Sequence, residues 1–218
     1  MKVFCRAQYL TDAVGHMRSE DYNAIHMVKA VKGLPLNPNA YTNVLINGVW
    51  TSIREPNKDQ AIIWFAEWAA AIVDSEAIQW APTILVPIPS SAASIGTAPT
   101  FRTALIAAEI AKRAKTKVQV APYLKWKKPR PKSTDSASRK PEILFPDLVL
   151  EQPLPRGRIV LVDDVYTSGG HVIAATWRIR KDQDRTVRAA ICCGQTGHIQ
   201  APVPFKIDPF TLDVPELA

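Results

Sequence analysis

Two adjacent carboxylates, Asp163 and Asp164, stand directly behind a short β-branched apolar run, Ile159-Val160-Leu161-Val162. Val165 and Tyr166 follow, and then small hydroxylic and flexible residues, Thr167-Ser168-Gly169-Gly170, ending at His171. Next comes a helical pattern, with Val172, Ile173, Ala175, Thr176 and Ile179 apolar or small and Arg178, Arg180 and Lys181 closing it. The apolar run predicts a strand buried on both faces of a parallel sheet. A strand, a tight turn and a helix start together make an anion site, because free backbone N–H groups and the positive end of the helix dipole face the ligand. The glycines let a phosphate approach the backbone closely, and Thr167 and Ser168 add hydroxyl donors.

Two carboxylates beside an anion cradle conflict unless the ligand also brings hydroxyls or a divalent cation next to its phosphate. A ribose 5-phosphate has this combination. An ordinary strand-to-helix turn with acidic caps accounts for one Asp and one Gly. It does not account for two acids, two hydroxyls and two glycines in this order.

Several other elements must position these residues. Thr83 to Ser91 reads as a second buried strand, ended by Pro87 and Pro89, with a loop from Ser90 to Pro99 behind it. Phe101 to Lys115 reads as an amphipathic helix, with Leu105, Ala108, Ile110 and Ala111 on its apolar side. Val118 to Leu124 is a third short strand. Lys125 to Lys140 is strongly basic, and Pro129 and Pro131 exclude a regular helix, so it reads as a basic loop. Leu148 to Leu150 and Thr186 to Cys193 read as further strands, the latter with a loop at Gly194 to His198. Strand, loop and helix repeat, which predicts an α/β sheet. Upstream, Ser19 to Lys32 reads as a helix with Ser19 as N-cap, and Asn47-Gly48 as the turn of a hairpin. Pro56 opens a helix to about Val73, with Ile62, Phe65, Ala66, Ala69, Ile72 and Val73 as its stripe and Trp64 and Trp68 as core or dimer contacts. His16 and His26 read as surface or packing residues.

The run Val160-Leu161-Val162-Asp163-Asp164-Val165-Tyr166-Thr167-Ser168-Gly169-Gly170 resembles the PRPP-binding motif of the type I phosphoribosyltransferases. That motif is an apolar strand, two acids, a hydrophobic pair and Thr-Thr/Ser-Gly-x-Thr. His171 stands where the family usually has Thr, and a protonated His171 is the expected substitute donor. The order of elements over roughly residues 80–195 also looks like the ComF-like subgroup, without its cysteine-rich segment and with Ala92 to Phe101 replacing its Arg-Gly-Phe-Asn-Gln run. The resemblance implies an open, mostly parallel twisted sheet flanked by helices, with a hood from the chain ends. It implies that 5-phosphoribosyl-1-pyrophosphate (PRPP) binds with Mg²⁺ and that a nitrogen acceptor displaces pyrophosphate. Asp163 and Asp164 would then be catalytic, holding the ribose hydroxyls and facing the metal through ligand or water. Val165, Tyr166, Thr167, Ser168, Gly169, Gly170 and His171 would hold the 5-phosphate. Ser90 and Ser91 would belong to the pyrophosphate loop, and Lys127, Lys128, Arg130, Lys132, Arg139 and Lys140 to a lid over it.

The 218 residues, 47% hydrophobic, predict one domain, 1–218. Within it, 1–57 reads as an elaboration or hood, 58–198 as the α/β core and 199–218 as a tail. No apolar run approaches the roughly 18 residues a membrane span needs, and the first residues do not read as a signal peptide. The three cysteines make neither a disulfide framework nor a zinc site, so a cytoplasmic setting is expected. The net charge of +7 favours anionic partners. Nucleic acid is weakly supported, since the basic residues gather in one loop with Trp126 as their one aromatic. There is no Gly-x-Gly-x-x-Gly after a strand and no Gly-Lys-Ser/Thr, which excludes dinucleotide and P-loop readings. Two classes stand: a phosphoribosyltransferase, with a homodimer as its expected assembly, and a non-catalytic PRPP- or nucleotide-binding regulator or ComF-like DNA-associated protein. No motif names the acceptor.

Overall fold

A computed structural model describes residues 1–11, 16–97, 100–130 and 139–217. Its centre is the strand predicted at the acidic motif, β8 (Arg158–Tyr166), whose first five residues are all buried. Around it run β1 (Lys2–Leu10), β4 (Thr83–Pro87), β5 (Val118–Val120), β9 (Val187–Gly197) and β10 (Phe210–Thr211), in the order β10-β1-β9-β8-β4-β5. Every neighbouring pair is parallel except β1 with β10. The mostly parallel sheet flanked by helices is the expected α/β architecture.

Successive residues of a strand face opposite sides, and β8 follows this rule from Ile159 to Val162, whereas Val165 rejoins the layer of Val160 and Val162. Val160 and Val162 pack into one apolar layer with α1 (Ser19–Lys32), α2 (Gln60–Ser75) and α3 (Arg102–Arg113). Ile159 and Leu161 pack into a second layer with α5 (Gly170–Gln183) and the short α4 (Pro141–Leu144). Burial on both faces is why the strand reads as an unbroken apolar run. Cys192 and Cys193 divide between the two layers in the same way. Two smaller pairs complete the fold. β2 (Thr42–Ile46) and β3 (Val49–Ile53) form the expected hairpin, with Asn47 at φ 50° and Gly48 at φ 77° in its turn. β6 (Leu124–Trp126) pairs antiparallel with β7 (Leu148–Leu150).

The direction of strand addition reverses between β4 and β8: β5 is added beyond β4, whereas β9 and β1 lie beyond β8. The carboxyl ends of the two strands flanking such a switch point frame the crevice where open α/β sheets bind ligands. Pro87 lies beside Val162, and the Ile88 N–H donates to the Val162 carbonyl at 2.9 Å. The loop after Ile88 therefore leaves the sheet beside the acid-bearing end of β8.

Local readings need correction. Residues 2–10, placed in a hood by the sequence, form β1 inside the sheet. Arg6 and Gln8 had hidden it, but the Arg6 guanidinium is held by the Phe205 carbonyl at 2.9 Å and stacks over Trp64 at 5.2 Å. Ser19 is not the N-cap of α1. Arg18 precedes the helix, and the Asp21 carboxylate accepts both its backbone N–H and its guanidinium. Pro56 sits in a 3-10 turn, Glu55–Asn57, and α2 begins only at Gln60. On α3 the buried side is Ala104, Ile106, Ala107 and Ile110, leaving Leu105 exposed. The basic stretch begins as a strand, with Lys125 buried over the Phe101 ring. Trp64 is core, edge-on to Phe205 at 5.8 Å. Among the described residues no helix is long and apolar enough to cross a membrane.

Candidate functional site

Asp163 and Asp164 are residues of β8 itself, because the strand continues to Tyr166 rather than turning at the acids as the sequence suggested. Strand alternation aims them at opposite sides of the sheet end. Asp163 lies on the α5 side, beside Cys192 of β9, and its Oδ1 accepts the Asp164 backbone N–H at 2.8 Å. Asp164 lies on the α1 side, with the Lys32 ammonium 3.8 Å from its Oδ1. Burial pushes the Asp163 carboxyl well above the ordinary range, and the nearby Asp164 charge pushes it further. The N–H of Asp164 and the charge of Lys32 only partly oppose this.

Lys32 is the site residue that sequence reasoning missed. It occupies the last turn of α1, just before Gly33 at φ 77°, and its ammonium lies 5.8 Å from the Tyr9 ring centroid. A basic residue in a last helical turn has an ordinary dipole explanation. Only the packing of α1 over β8 brings it to Asp164.

Behind the acids the motif divides by role. Val165 is buried and packs towards Gly194, where an added Cβ would lie 3.2 Å from it. Its side chain is core, not a phosphate contact. Tyr166 is half-buried, edge-on to Phe210 at 5.1 Å. Thr167 is half-buried and Ser168 exposed. Gly169, at φ 81°, turns the chain into α5, where its carbonyl accepts the Ile173 N–H at 2.9 Å. That left-handed conformation requires glycine or a strained substitute. Gly170 is required for a different reason: a Cβ there would lie 1.8 Å from the Arg139 carbonyl oxygen. The end of the basic segment therefore packs against the first turn of α5.

His171 lies edge-on to Trp126 at 6.0 Å. Burial lowers its pKa to about 4, helped by the charges of Arg139, Arg130 and Lys32. Without ligand the imidazole is thus neutral at physiological pH, so a protonated donor at this position requires the ligand's own negative charge to draw the proton in. The same fact reports that cations from α1 and from both ends of the basic segment converge on the N-terminal end of α5.

Ser90 and Ser91 meet this region through their backbone. The Trp126 indole N–H donates to the Pro89 and Ser90 carbonyls at 3.2 and 3.1 Å, and the Arg130 N–H to the Ser91 carbonyl at 2.8 Å. Trp126 also bridges Ser94, so the loop after β4 and the start of the basic segment are laced together. Of the lid candidates, Lys127, Lys128 and Lys140 are exposed. Arg130 is held by Asp147 at 2.6 Å and lies 5.2 Å from the Trp126 ring centroid. Arg139 lies against Gly170, and Lys132 falls outside the described residues.

Among the described residues no group of three or more His, Cys, Asp or Glu could hold a metal by itself. Asp163 and Asp164 do suit a Mg²⁺ that arrives on a phosphate ligand. Mg²⁺ commonly takes one or two carboxylates, water and substrate phosphate, and the mutual repulsion of the acids is what a cation relieves. Compared with known proteins, the chain matches no family model and no curated protein.

Proposed function

We propose that this chain is a phosphoribosyltransferase of the type I kind, taking PRPP and a nitrogen acceptor and releasing pyrophosphate. The observation that carries the reading is one arrangement at the switch point. An acid pair at the end of β8 runs within a few residues into the glycine-opened start of a 14-residue helix, under the charges of Lys32, Arg130 and Arg139. The acids suit ribose hydroxyls, and the helix start suits the 5-phosphate.

The residues divide the work as follows. Asp164 accepts from a ribose hydroxyl while Lys32 fixes its orientation. Asp163, raised by its surroundings, gives its proton to solvent as the ligand binds, and its carboxylate then faces the positive charge that develops at the anomeric carbon, favouring the transition state over the ground state. The N–H groups of Gly170 and His171, with the hydroxyls of Thr167 and Ser168, hold the phosphate and set the reacting carbon in place. The loop at Ser90 and Ser91 and the exposed Lys127 and Lys128 face the departing pyrophosphate. Asp163 and Asp164 would hold a Mg²⁺ that arrives with the ligand, and the metal would supply charge neutralisation there.

A second reading, a non-catalytic ribose-phosphate binder in the ComF-like manner, is favoured by the packing of Arg139 on Gly170. A ligand that enters the cradle must move that backbone, which is how occupancy would be reported to a partner. The two readings separate on one assay. Incubation with PRPP, Mg²⁺ and a panel of nucleobases and amines is expected to release pyrophosphate in an acceptor-dependent way. Binding of PRPP with no release from any acceptor selects the binder.

A further inference from the structure

A cleft of about 480 Å³ opens at the other end of the same strands. It is lined by Pro82 ahead of β4, by Arg156 to Arg158 at the start of β8, by Thr186 and Arg188 at the start of β9, and by Ile78 and Trp80. Asp163 stands five residue steps along β8 from Arg158, about 17 Å at strand rise. This is therefore a separate place from the candidate active site.

Four arginines line the cleft against a single carboxylate, Asp184. They are not equivalent. Arg185 is structural: it donates to the carbonyls of Leu154, Pro155 and Gly157 at 3.0, 2.8 and 2.7 Å, pinning the turn into β8. Arg158 is buried and reaches Glu76 at 3.4 Å. Arg156 and Arg188 are exposed, and among the described residues neither has an ion pair or a side-chain hydrogen bond. Arg188 also lies near enough to Arg158 to repel it, an effect secondary to burial in lowering the Arg158 pKa. An anion between them relieves that repulsion.

Trp80 supplies the second half of the chemistry. A short turn with a bridge between Ile78 and Ala81 projects it into solvent, and it is 85% exposed. A bare indole at the mouth of an arginine-lined cleft offers a stacking face beside a phosphate clamp.

We infer that this cleft binds a mononucleotide, with its phosphate on Arg156 and Arg188 and its base on Trp80. The cleft lies within the range of about 300–1,000 Å³ usual for small-ligand sites. A nucleic-acid strand needs successive stacking platforms along a basic groove. Trp80 is the one aromatic lining this cleft, and the other exposed aromatics, Tyr22, Tyr41 and Trp50, belong to α1 and the hairpin region. The inference stands whether or not the ribose-phosphate reading of the other site is right.

The test titrates the full chain with AMP without Mg²⁺, by calorimetry and by tryptophan fluorescence. Parent protein is expected to bind AMP with quenching of an exposed tryptophan, and Trp80→Phe is expected to remove that quenching. The double variant Arg156→Ser/Arg188→Ser is expected to bind AMP at least about tenfold more weakly, since two charge-assisted contacts are lost. Asp163→Asn/Asp164→Asn should leave this binding in place. Circular dichroism of these surface variants checks that they remain folded. Failure to bind AMP, undiminished affinity in the arginine variant, or quenching that survives Trp80→Phe overturns the assignment. Tighter binding of an oligothymidylate than of AMP, lost in the same variants, overturns it in favour of a strand-binding surface.

Discussion

His171 shows how far burial can move a residue from its sequence expectation. On paper it is a cationic replacement for a phosphate-binding threonine. In the fold, burial and the charges of Arg139, Arg130 and Lys32 bring its pKa to about 4. The sign of the linkage follows. The unfolded chain binds the proton more readily between that value and the ordinary imidazole value, about 6.5, so stability is present above the latter and is lost as pH falls through the former. His26, also lowered by burial, adds to the same loss. Denaturant midpoints should therefore fall as pH is lowered from about 6.5 to about 4, and His171→Thr should flatten part of that fall. The neutral imidazole also predicts that PRPP affinity in the parent and in His171→Thr follows the same pH profile between about pH 6 and 8. A steeper profile in the parent would restore the imidazolium donor. The acids, the hydroxyls and the glycines were legible because their types at that spacing have few other uses. Lys32 was not, because 132 positions separate it from Asp164 and only the tertiary fold of α1 over β8 joins them.

At the scale of elements, the start of α5 and the end of the basic segment are one device. Gly170→Ala places a methyl group 1.8 Å from the Arg139 carbonyl oxygen, and the backbone must yield. Overpacking of this kind typically costs about 1–3 kcal/mol, while alanine is the better helix residue by up to about 1 kcal/mol. The helix should persist and the segment at Arg139 should be displaced. Past Trp126 the sequence offers trypsin bonds after Lys127, Lys132 and Arg139, because Lys128, Arg130 and Lys140 precede prolines. Cleavage after Arg139 is expected to be faster in Gly170→Ala than in the parent, and slower in the parent when PRPP and Mg²⁺ are present. Equal rates throughout would show that the segment and the cradle are not coupled. The sequence made the basic stretch look like a uniform loop. Its first residues are instead strand β6, held by β7 and by the carbonyls of the β4 loop, with the buried Lys125 ammonium over Phe101. Cation–π cover for a buried lysine leaves no trace in a one-dimensional pattern.

Across the whole molecule, the sheet was legible wherever strands are buried on both faces, as at Thr83–Pro87 and Ile159–Val162. Its edge was not. β1 contains Arg6 and Gln8, whose side chains hydrogen-bond to the chain's far end at Phe205, Ile199 and Ala201. A reading that cannot see those partners demotes the strand. Substitutions can check the placement. Phe4, 6% exposed, should cost about 3–5 kcal/mol when replaced by Ala. Leu105, 43% exposed on α3, should cost within about 0.5 kcal/mol. Similar costs for the two would contradict the observed packing. The same topology sets the switch point between β4 and β8, and the account rests on what stands there. The most direct measurement is calorimetry of PRPP with Mg²⁺ against the parent and Asp163→Asn/Asp164→Asn, with thermal unfolding of both. The raised Asp163 carboxyl favours the fold while protonated, and that contribution is lost as pH rises through its folded pKa. The variant should therefore unfold no lower than the parent at neutral pH. Its PRPP affinity should fall by at least about tenfold, as hydrogen bonds to charged groups contribute about 1.5–3 kcal/mol each. A variant that is folded and binds PRPP as tightly as the parent would contradict the account.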